Sequence, residues 1–532
     1  MSVSPDPDVT DVLVVGAGPV GLVAGCELAR RGVRVRVIDK LAQPTAQSRA
    51  VSVHARSLDM FDRMGIVDEM LSTGVKAIAM QTYAGHSKLF RVPLGDVDSA
   101  FPFSLSTAQT ETERVLGEYL HSHGVIVERG VELVGLAQDG RDANAAHLTL
   151  RHDDGSTEQV TAHWVIGADG AHSTVRRLVG AKLTGSFVGE RFLLGDVDAE
   201  HQLDLDSMHT FFSPDGPVVV LPMRDGRMRF LAQVHDAPGA PMNMHPSQEQ
   251  LQVVLDRRIG GIGVVRSHWL TSFEIHHGRV PAYRWGRAFL AGDAAHIHSP
   301  AGGQGMNTGM QDAFNLAWKL AAVVNGSVSG HAGDTLLNSY QAERIPVADS
   351  VITFTNRLTK VGTLSGAPRR IRDMAIRMAS HVPAARRAMA DAAEEVNVSY
   401  KKSPTTVGQR TRRTKVVVGE HFPHMVDEAV QKQLSAVCGP QTLGHVVVTI
   451  NGAGQPAPAA VDSGQVQVLV TADEAPVAGY DTVIADPNGV VAQRFGLTIG
   501  GRVVIRPDGY IGAIASLDDA TTVTGYFAKV RS

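Results

Sequence analysis

The chain has 532 residues, a formal net charge of −4, and 43% hydrophobic and 20% charged residues, the make-up of an ordinary globular protein with room for about three domains. No long basic run or basic–aromatic stripe is present, which argues against nucleic acid or an anionic membrane surface as the main partner. Cys26 and Cys438 are its only cysteines and form no CxxC, so neither a disulfide framework nor a structural zinc site is expected, in keeping with a reducing compartment.

The first apolar stretch, Val12 to Ala29, is interrupted by four glycines and a proline, ends near Glu27, and follows Asp6, Asp8 and Asp11. A signal peptide would carry positive charge there. A buried strand, turn and helix is the expected form, in a soluble cytoplasmic protein. DVLVVG suits a buried parallel strand. Gly16, Gly18 and Gly21 follow in GxGxxG spacing, then a helix, then VRVRVID ending at Asp39 with Lys40 next. One glycine permits the turn, the next lets backbone approach a pyrophosphate, and the third lets helix pack on strand. The helix N-terminus meets phosphate charge with free N–H groups, and Asp39 could accept hydrogen bonds from a ribose. A second GxGxxA, beginning at Gly452, runs at once into prolines, so no helix can start and no nucleotide site is expected there.

Farther along, HWVIGADGAHSTVRRLVG places Asp169 in a strand–turn–helix whose helix carries Arg176 and Arg177. Residues 185–285 alternate short β-like runs with turns. GRAFLA then repeats the strand-into-turn pattern at Gly292–Asp293, followed by HSPAGGQGMN, a glycine-rich loop that lets backbone approach a planar ring. The helix after it should bring Phe314, Ala317, Trp318 and Ala321 onto one face. His296 and His298 could share a strand face as metal ligands do, but no third His, Cys or acid stands at helpful spacing, and no metal is expected. Residues 335–400 read as consecutive helices, and an αβ-like tail with an RPDG hairpin closes the chain.

An N-terminal GxGxxG, a GADG turn and a GDAAH turn, in this order and spacing over about residues 10–350, resemble the flavoprotein monooxygenases of the para-hydroxybenzoate hydroxylase fold. The branch that oxidises phenols and aromatic polyketides is the nearest in pattern. The resemblance implies an α/β fold with a Rossmann-like FAD-binding domain, an interleaved β-sheet substrate domain, a helical segment and a C-terminal thioredoxin-like domain. The expected division is 1–180 for the first part of the FAD-binding domain, 181–285 for the substrate domain, 286–400 for FAD-binding completion with helices, and 401–532 for the tail. Lacking CxxC, the tail should pack or dimerise, making a homodimer, rather than do redox chemistry.

The resemblance also implies roles. Asp293 would bond the ribityl chain of FAD, Asp169 would serve FAD and NADPH binding, and Arg49 would stand near the pyrophosphate. Gln109 would contact the flavin side with Arg114 beyond it, and Pro300 would lie beside the ring. Gly303, Gly305, Met306 and Asn307 would form the cradle at the pyrimidine edge, where the helix dipole favours negative charge. Asp39 and Lys40 complete the cofactor set. The sheet over the flavin would draw its lining from Met208, His209, Phe212, Met223, Phe230 and Gln233, which cannot all share one face.

The implied reaction uses NADPH (or NADH) as transient co-substrate and O2, passing one oxygen from a flavin C4a-hydroperoxide to an electron-rich phenolic or polycyclic aromatic. No second GxGxxG stands in a strand–helix setting, which fits transient docking of the nicotinamide. Some phenol-hydroxylating relatives carry an Asp near the Arg49 segment where Val51 stands here, so a dedicated general base is not expected. Baeyer–Villiger oxygen insertion and a non-catalytic flavin-binding role are the alternatives. The absence of WxWxIP sets flavin halogenases aside.

Overall fold

The computed structural model describes residues 9–138, 145–234, 243–299, 302–408, 414–452, 454–473 and 475–531. One eight-stranded sheet carries, in spatial order, Arg284–Trp285, Ala288–Leu290, Thr157–Gly167, Val9–Val15, Val35–Asp39 and Val127–Arg129, with Val131–Ala137 and Ala146–His152 attached through Thr157–Gly167. Its central strands are parallel, and the register aligns Val15 with Gly167 and Ile38, and Gly167 with Leu290. Three sequence motifs distant in the chain therefore leave the sheet at one carboxyl edge, where open α/β sheets bind ligands. Val12, Leu13, Val14, Val165, Ile166 and Leu290 are fully buried, as strands covered on both faces require.

The helix Gln304–Val324 crosses close to the helix Pro19–Ala29, and a Cβ at Gly309 would come within 2.7 Å of Val20 Cγ2 and 3.1 Å of Gly292 Cα. The single apolar stripe expected on this helix is not what the structure shows. Every residue from Asn307 to Ala321 is buried, because the C-terminal domain covers the outer side: Trp318 packs in a cluster with Val504, Tyr526 and Phe527.

A second eight-stranded sheet runs His296–Ile297, Gly263–Arg279, Thr184–Glu200, Met228–Val234, Val218–Pro222, Ser207–Phe212, Ala79–Ala84 and Ser87–Pro93. Two of its strands come from residues 79–93, outside the 181–285 stretch. The helices Gly330–Gly362, Gly366–Ser380 and Pro383–Ala393 follow. The tail forms a five-stranded mixed sheet, ordered Thr482–Ala485, Val466–Thr471, Val446–Ile450, Gly501–Ile505 and Ile511–Ala515, with helices Glu428–Val437, Val490–Phe495 and Ala520–Val530. This is the thioredoxin-like arrangement expected of it. Among the described residues, no helix is long and apolar enough to cross a membrane.

Candidate cofactor and active site

The first turn is built by backbone packing. Gly16 has φ +103°, and a Cβ there would lie 2.4 Å from the Ala168 carbonyl oxygen; a Cβ at Gly21 would lie 1.8 Å from the Gly16 oxygen. A Cβ at Gly18 would meet nothing within 4 Å. Two glycines thus serve the protein's own packing, and the third opens onto the space beyond the turn. Asp39 accepts from Ala17 N at 2.7 Å and from Leu41 N at 2.8 Å, holding the turn against the end of its strand. Lys40 is exposed beside it.

Asp169 caps the short helix Thr174–Leu178, accepting from Ser173 Oγ at 2.5 Å, Thr174 N at 2.6 Å and Val175 N at 3.1 Å. Arg176, on that helix, donates to the carbonyls of Ala171, Asp293 and Ala294. It ties the GADG turn to the GDA turn, a role that sequence reading did not assign. Asp293 is surrounded by protein on most sides, yet its side chain is solvent-accessible. Burial raises its carboxyl above the usual range, against the pull of His296, Arg49 and Arg176. Arg49 is exposed near it, bonded to Gln47 Oε1 at 3.4 Å.

Gln109 holds the Arg49 segment in place: its amide oxygen accepts from Ala50 N at 3.3 Å and its backbone N–H donates to Ser48 Oγ at 2.8 Å. Arg114 does not join the group. It stands on the exposed side of its helix among Glu69, Glu111 and Glu118, one turn beyond Gln109 and too committed to surface carboxylates to serve the cleft.

The second glycine-rich turn opens the helix Gln304–Val324, with Gly303 as N-cap at φ +67°. Asn307 is buried, accepting from His54 N at 2.9 Å and donating to the Ser52 and Gly303 carbonyls at 2.8 and 3.0 Å. It staples strand to turn. Met306 is half-buried against the core, and a Cβ at Gly305 would meet only ordinary contact with His298, at 3.6 Å. Pro300, expected beside the ring, lies outside the described residues. His296 Nε2 lies 2.7 Å from Asp312 Oδ2, and the Asp312 carboxylate also accepts from Gly292 N and Arg344. That buried pairing accounts for the histidine, and among the described residues no group of three His, Cys, Asp or Glu is placed to hold a metal.

Of the expected pocket lining, Met223 and Met208 pack with Val51, Leu221 and Val219, beside the Arg49 segment. His209 and Phe230 are corrected to the opposite face. His209 bonds Asp204 O at 2.8 Å and Tyr83 Oη at 3.3 Å, and Phe230 lies in the core beneath the helix Gln248–Arg258. Phe212 turns toward the helical segment, under Arg372 at 4.8 Å. Strand alternation separates His209 from Met208, whereas Phe212 shares the Met208 face and is set apart by its place farther along the strand. Gln233 is buried at a strand end whose backbone carbonyl accepts from Arg258 at 2.5 Å. Reading by composition missed Arg229, buried in a bidentate pair with Asp196 at 2.6 Å and donating to the Arg49 and Ala50 carbonyls. A charged residue inside the apolar run MRFLAQV was the available signal.

These residues fit a dinucleotide flavin. The helices at Gly18 and Gly303 have no capping side chain, so their N-terminal N–H groups are free to meet pyrophosphate and ring. Gly18 leaves room for close approach, and Arg49 and Asp293 are both exposed and near enough to interact. A family model for the FAD binding domain matches residues 9–355, and one for the phenol hydroxylase C-terminal dimerisation domain matches residues 480–532. The chain is 35% identical to 6-methylpretetramide 4-monooxygenase of Streptomyces rimosus, over 98% of this chain and 93% of that protein. It is 36% identical to pentachlorophenol 4-monooxygenase of Sphingobium chlorophenolicum, over 66% of this chain and 64% of that protein. The solved anhydrotetracycline hydroxylase of Streptomyces rimosus superposes with a TM-score of 0.72 at 26% identity, covering 98% of this chain and 99% of that one. The chain belongs to the FAD-binding domain family. Within it, the chain is a flavoprotein monooxygenase that uses FAD.

Proposed function

We propose that the enzyme hydroxylates a phenolic or polycyclic, polyketide-like aromatic, with NAD(P)H as electron donor and O2 as oxygen source. The observation that carries this reading is the near full-length match to a monooxygenase that acts, by its name, on 6-methylpretetramide. The apolar wall of Val51, Met208, Val219, Leu221 and Met223 suits a flat aromatic surface, because burying apolar area beside such a wall contributes about 25 cal/mol per Å².

When bound, FAD supplies electron transfer and oxygen activation. The protein's own residues bind, orient and exclude water. Gly18 and the helix behind it would receive the pyrophosphate, with Arg49 adding charge, and Asp293 would take the ribityl hydroxyls. The Gly303 turn presents N–H groups to the ring edge. Arg229, fixed by Asp196, anchors the second sheet to the Arg49 segment and so would help position that sheet relative to a bound flavin. Val51 offers no proton acceptor, which favours a substrate acidic enough to ionise on its own. The dimerisation-domain match further supports a homodimer.

The test is aerobic NADPH oxidation by the FAD-loaded protein with a panel of phenols and polycyclic quinols, with mass and NMR analysis of products. Stimulated turnover that leaves one added oxygen as a ring hydroxyl supports the reading. Insertion of oxygen into a ring would move the assignment to Baeyer–Villiger chemistry, and no stimulation by any aromatic would overturn it.

A further inference from the structure

Behind the second glycine turn lies a buried cluster that the cofactor reading leaves unused. His54 is 1% exposed, Ser104 and Glu394 are 0% exposed, and Glu395 is 3% exposed. They come from three distant parts of the chain. His54 Nε2 lies 3.1 Å from the Gly302 carbonyl oxygen and its Nδ1 lies 3.1 Å from Ser104 Oγ. Ser104 Oγ lies 2.5 Å from Glu394 Oε1, Ala55 N donates to Glu394 Oε2 at 2.8 Å, and His54 Nδ1 is 3.6 Å from that same oxygen.

Hydrogen-bond bookkeeping fixes the proton count. The Gly302 carbonyl can only accept, so Nε2 must carry a proton. Ser104 has one hydroxyl proton. If it goes to an ionised Glu394, then Nδ1 must donate as well and His54 is an imidazolium. If instead Nδ1 is bare and accepts from Ser104, the short Ser104–Glu394 contact needs a proton on Glu394. Either way the cluster holds one proton more than a neutral imidazole beside a carboxylate.

We propose that His54, Ser104 and Glu394 form a proton-holding clamp that positions the Gly302–Gly303 turn, and through it the uncapped N-terminus of the helix Gln304–Val324, for the flavin. The three are positioning residues, and the inference rests on the FAD site, not on the substrate reading. Losing the proton leaves Nε2–H on the Gly302 carbonyl but a bare Nδ1 facing Ser104, so the ring loses the anchor that aims its bond at the turn and the clamp loosens.

The groups that face His54 reinforce the clamp. Burial alone would favour the neutral ring, but Glu394 and Glu395 outweigh it and raise the imidazole above its ordinary value. Glu395, at φ +56°, a strained conformation for a side-chain-bearing residue, reaches the same helix by accepting from Thr308 Oγ1 at 2.8 Å and Gln311 Nε2 at 2.5 Å. Arg344 and His54 both act on Glu395, favouring its ionised form against burial. Because the folded value is raised, the clamp is intact below that value and is weakened as pH rises through it.

The experiment is FAD affinity, measured by flavin fluorescence on apoprotein, from about pH 6, near the ordinary histidine value, upward to about pH 9. The wild type should bind FAD at least about tenfold more weakly at the top of this range, as loss of a one-proton interaction allows for each pH unit. Glu394→Gln should move the weakening to lower pH. His54→Gln places an amide N–H near the same carbonyl at every pH and should flatten the profile. A merely structural cluster would shift affinity in all variants without changing the pH dependence, and that result overturns the clamp. Thermal melts of the apoproteins identify any variant that fails to fold. The wild-type titration stands by itself, because constant affinity across the range also overturns the proposal.

Discussion

The turn at Gly16–Gly21 is shaped by backbone atoms a few residues away and by one neighbouring strand, whereas the turn at Gly302–Gly305 is held by side chains from residues 54, 104, 307 and 394. Both free a helix N-terminus for a ligand. The first does so with local geometry that any sequence reader can see. The second depends on several long-range side-chain contacts, so its conformation is the more open to distant substitution.

The largest expected effect breaks the first turn. Gly21→Ala puts a methyl group 1.8 Å from the Gly16 oxygen, an overlap between backbone segments that no rotamer relieves. A loss above about 4 kcal/mol, the range reached only by severe overpacking, should appear as insoluble or unfolded protein in expression and circular dichroism. Normal folding would show that the two backbones can separate.

Asn307→Ala probes the second turn. It strips partners from His54 N and from the Ser52 and Gly303 carbonyls. Leaving such buried groups unpaired costs about 1–3 kcal/mol, so the apoprotein should fold with a lowered melting temperature and reduced FAD retention. Loss of flavin with an unchanged melting temperature would mean that Asn307 acts on the ligand directly.

Gly18→Ala and Gly305→Ala separate fold from ligand. Neither added methyl meets a forbidding contact: Gly18 has nothing within 4 Å and Gly305 only His298 at 3.6 Å. Apoprotein stability should stay within about 0.5 kcal/mol, as for a change away from any packing feature, while FAD affinity falls because backbone must approach the pyrophosphate and ring. An equal loss of stability and affinity would return both glycines to packing.

The same contrast explains what could be read in the sequence. The strand–GxGxxG–strand unit, the strand-into-turn that carries Asp293 and the closing αβ tail were legible because each is encoded within a few dozen residues. The strand Val446–Ile450 before the GxGxxA at Gly452 was legible too, and residues 454–465 after it form no helix. His54, Glu394 and Arg229 were not legible, since their partners are set by topology. Arg114 was misplaced because helical spacing does not say which side of a helix faces the cleft. His209 and Phe230 were misplaced because the strand's inward face is decided by the helix packed beneath it. The burial of the helix Gln304–Val324 all round was hidden in the same way: its second apolar surface answers a domain more than a hundred residues later.

Asp293 carries the smallest effect on the fold and the sharpest separation of fold from function. Burial raises its carboxyl above the ordinary value, so in the apoprotein the ionised form is held at a cost. A folded value above the unfolded one means that the native state binds the extra proton between the two, and stability falls as pH rises through that window. Asp293→Asn removes the charge while keeping the side-chain shape. The apoprotein should then melt slightly higher at neutral pH and lose the decline in stability above the ordinary carboxyl range, while FAD occupancy drops because the ribityl hydroxyls lose a charged acceptor. Differential scanning calorimetry of the two apoproteins at about pH 4 and about pH 7, alongside flavin content after purification, reads both halves. A variant that melts lower at neutral pH would show that Arg49, Arg176 and His296 hold the carboxylate more strongly than burial opposes it, making Asp293 a support of the fold as well as of the flavin.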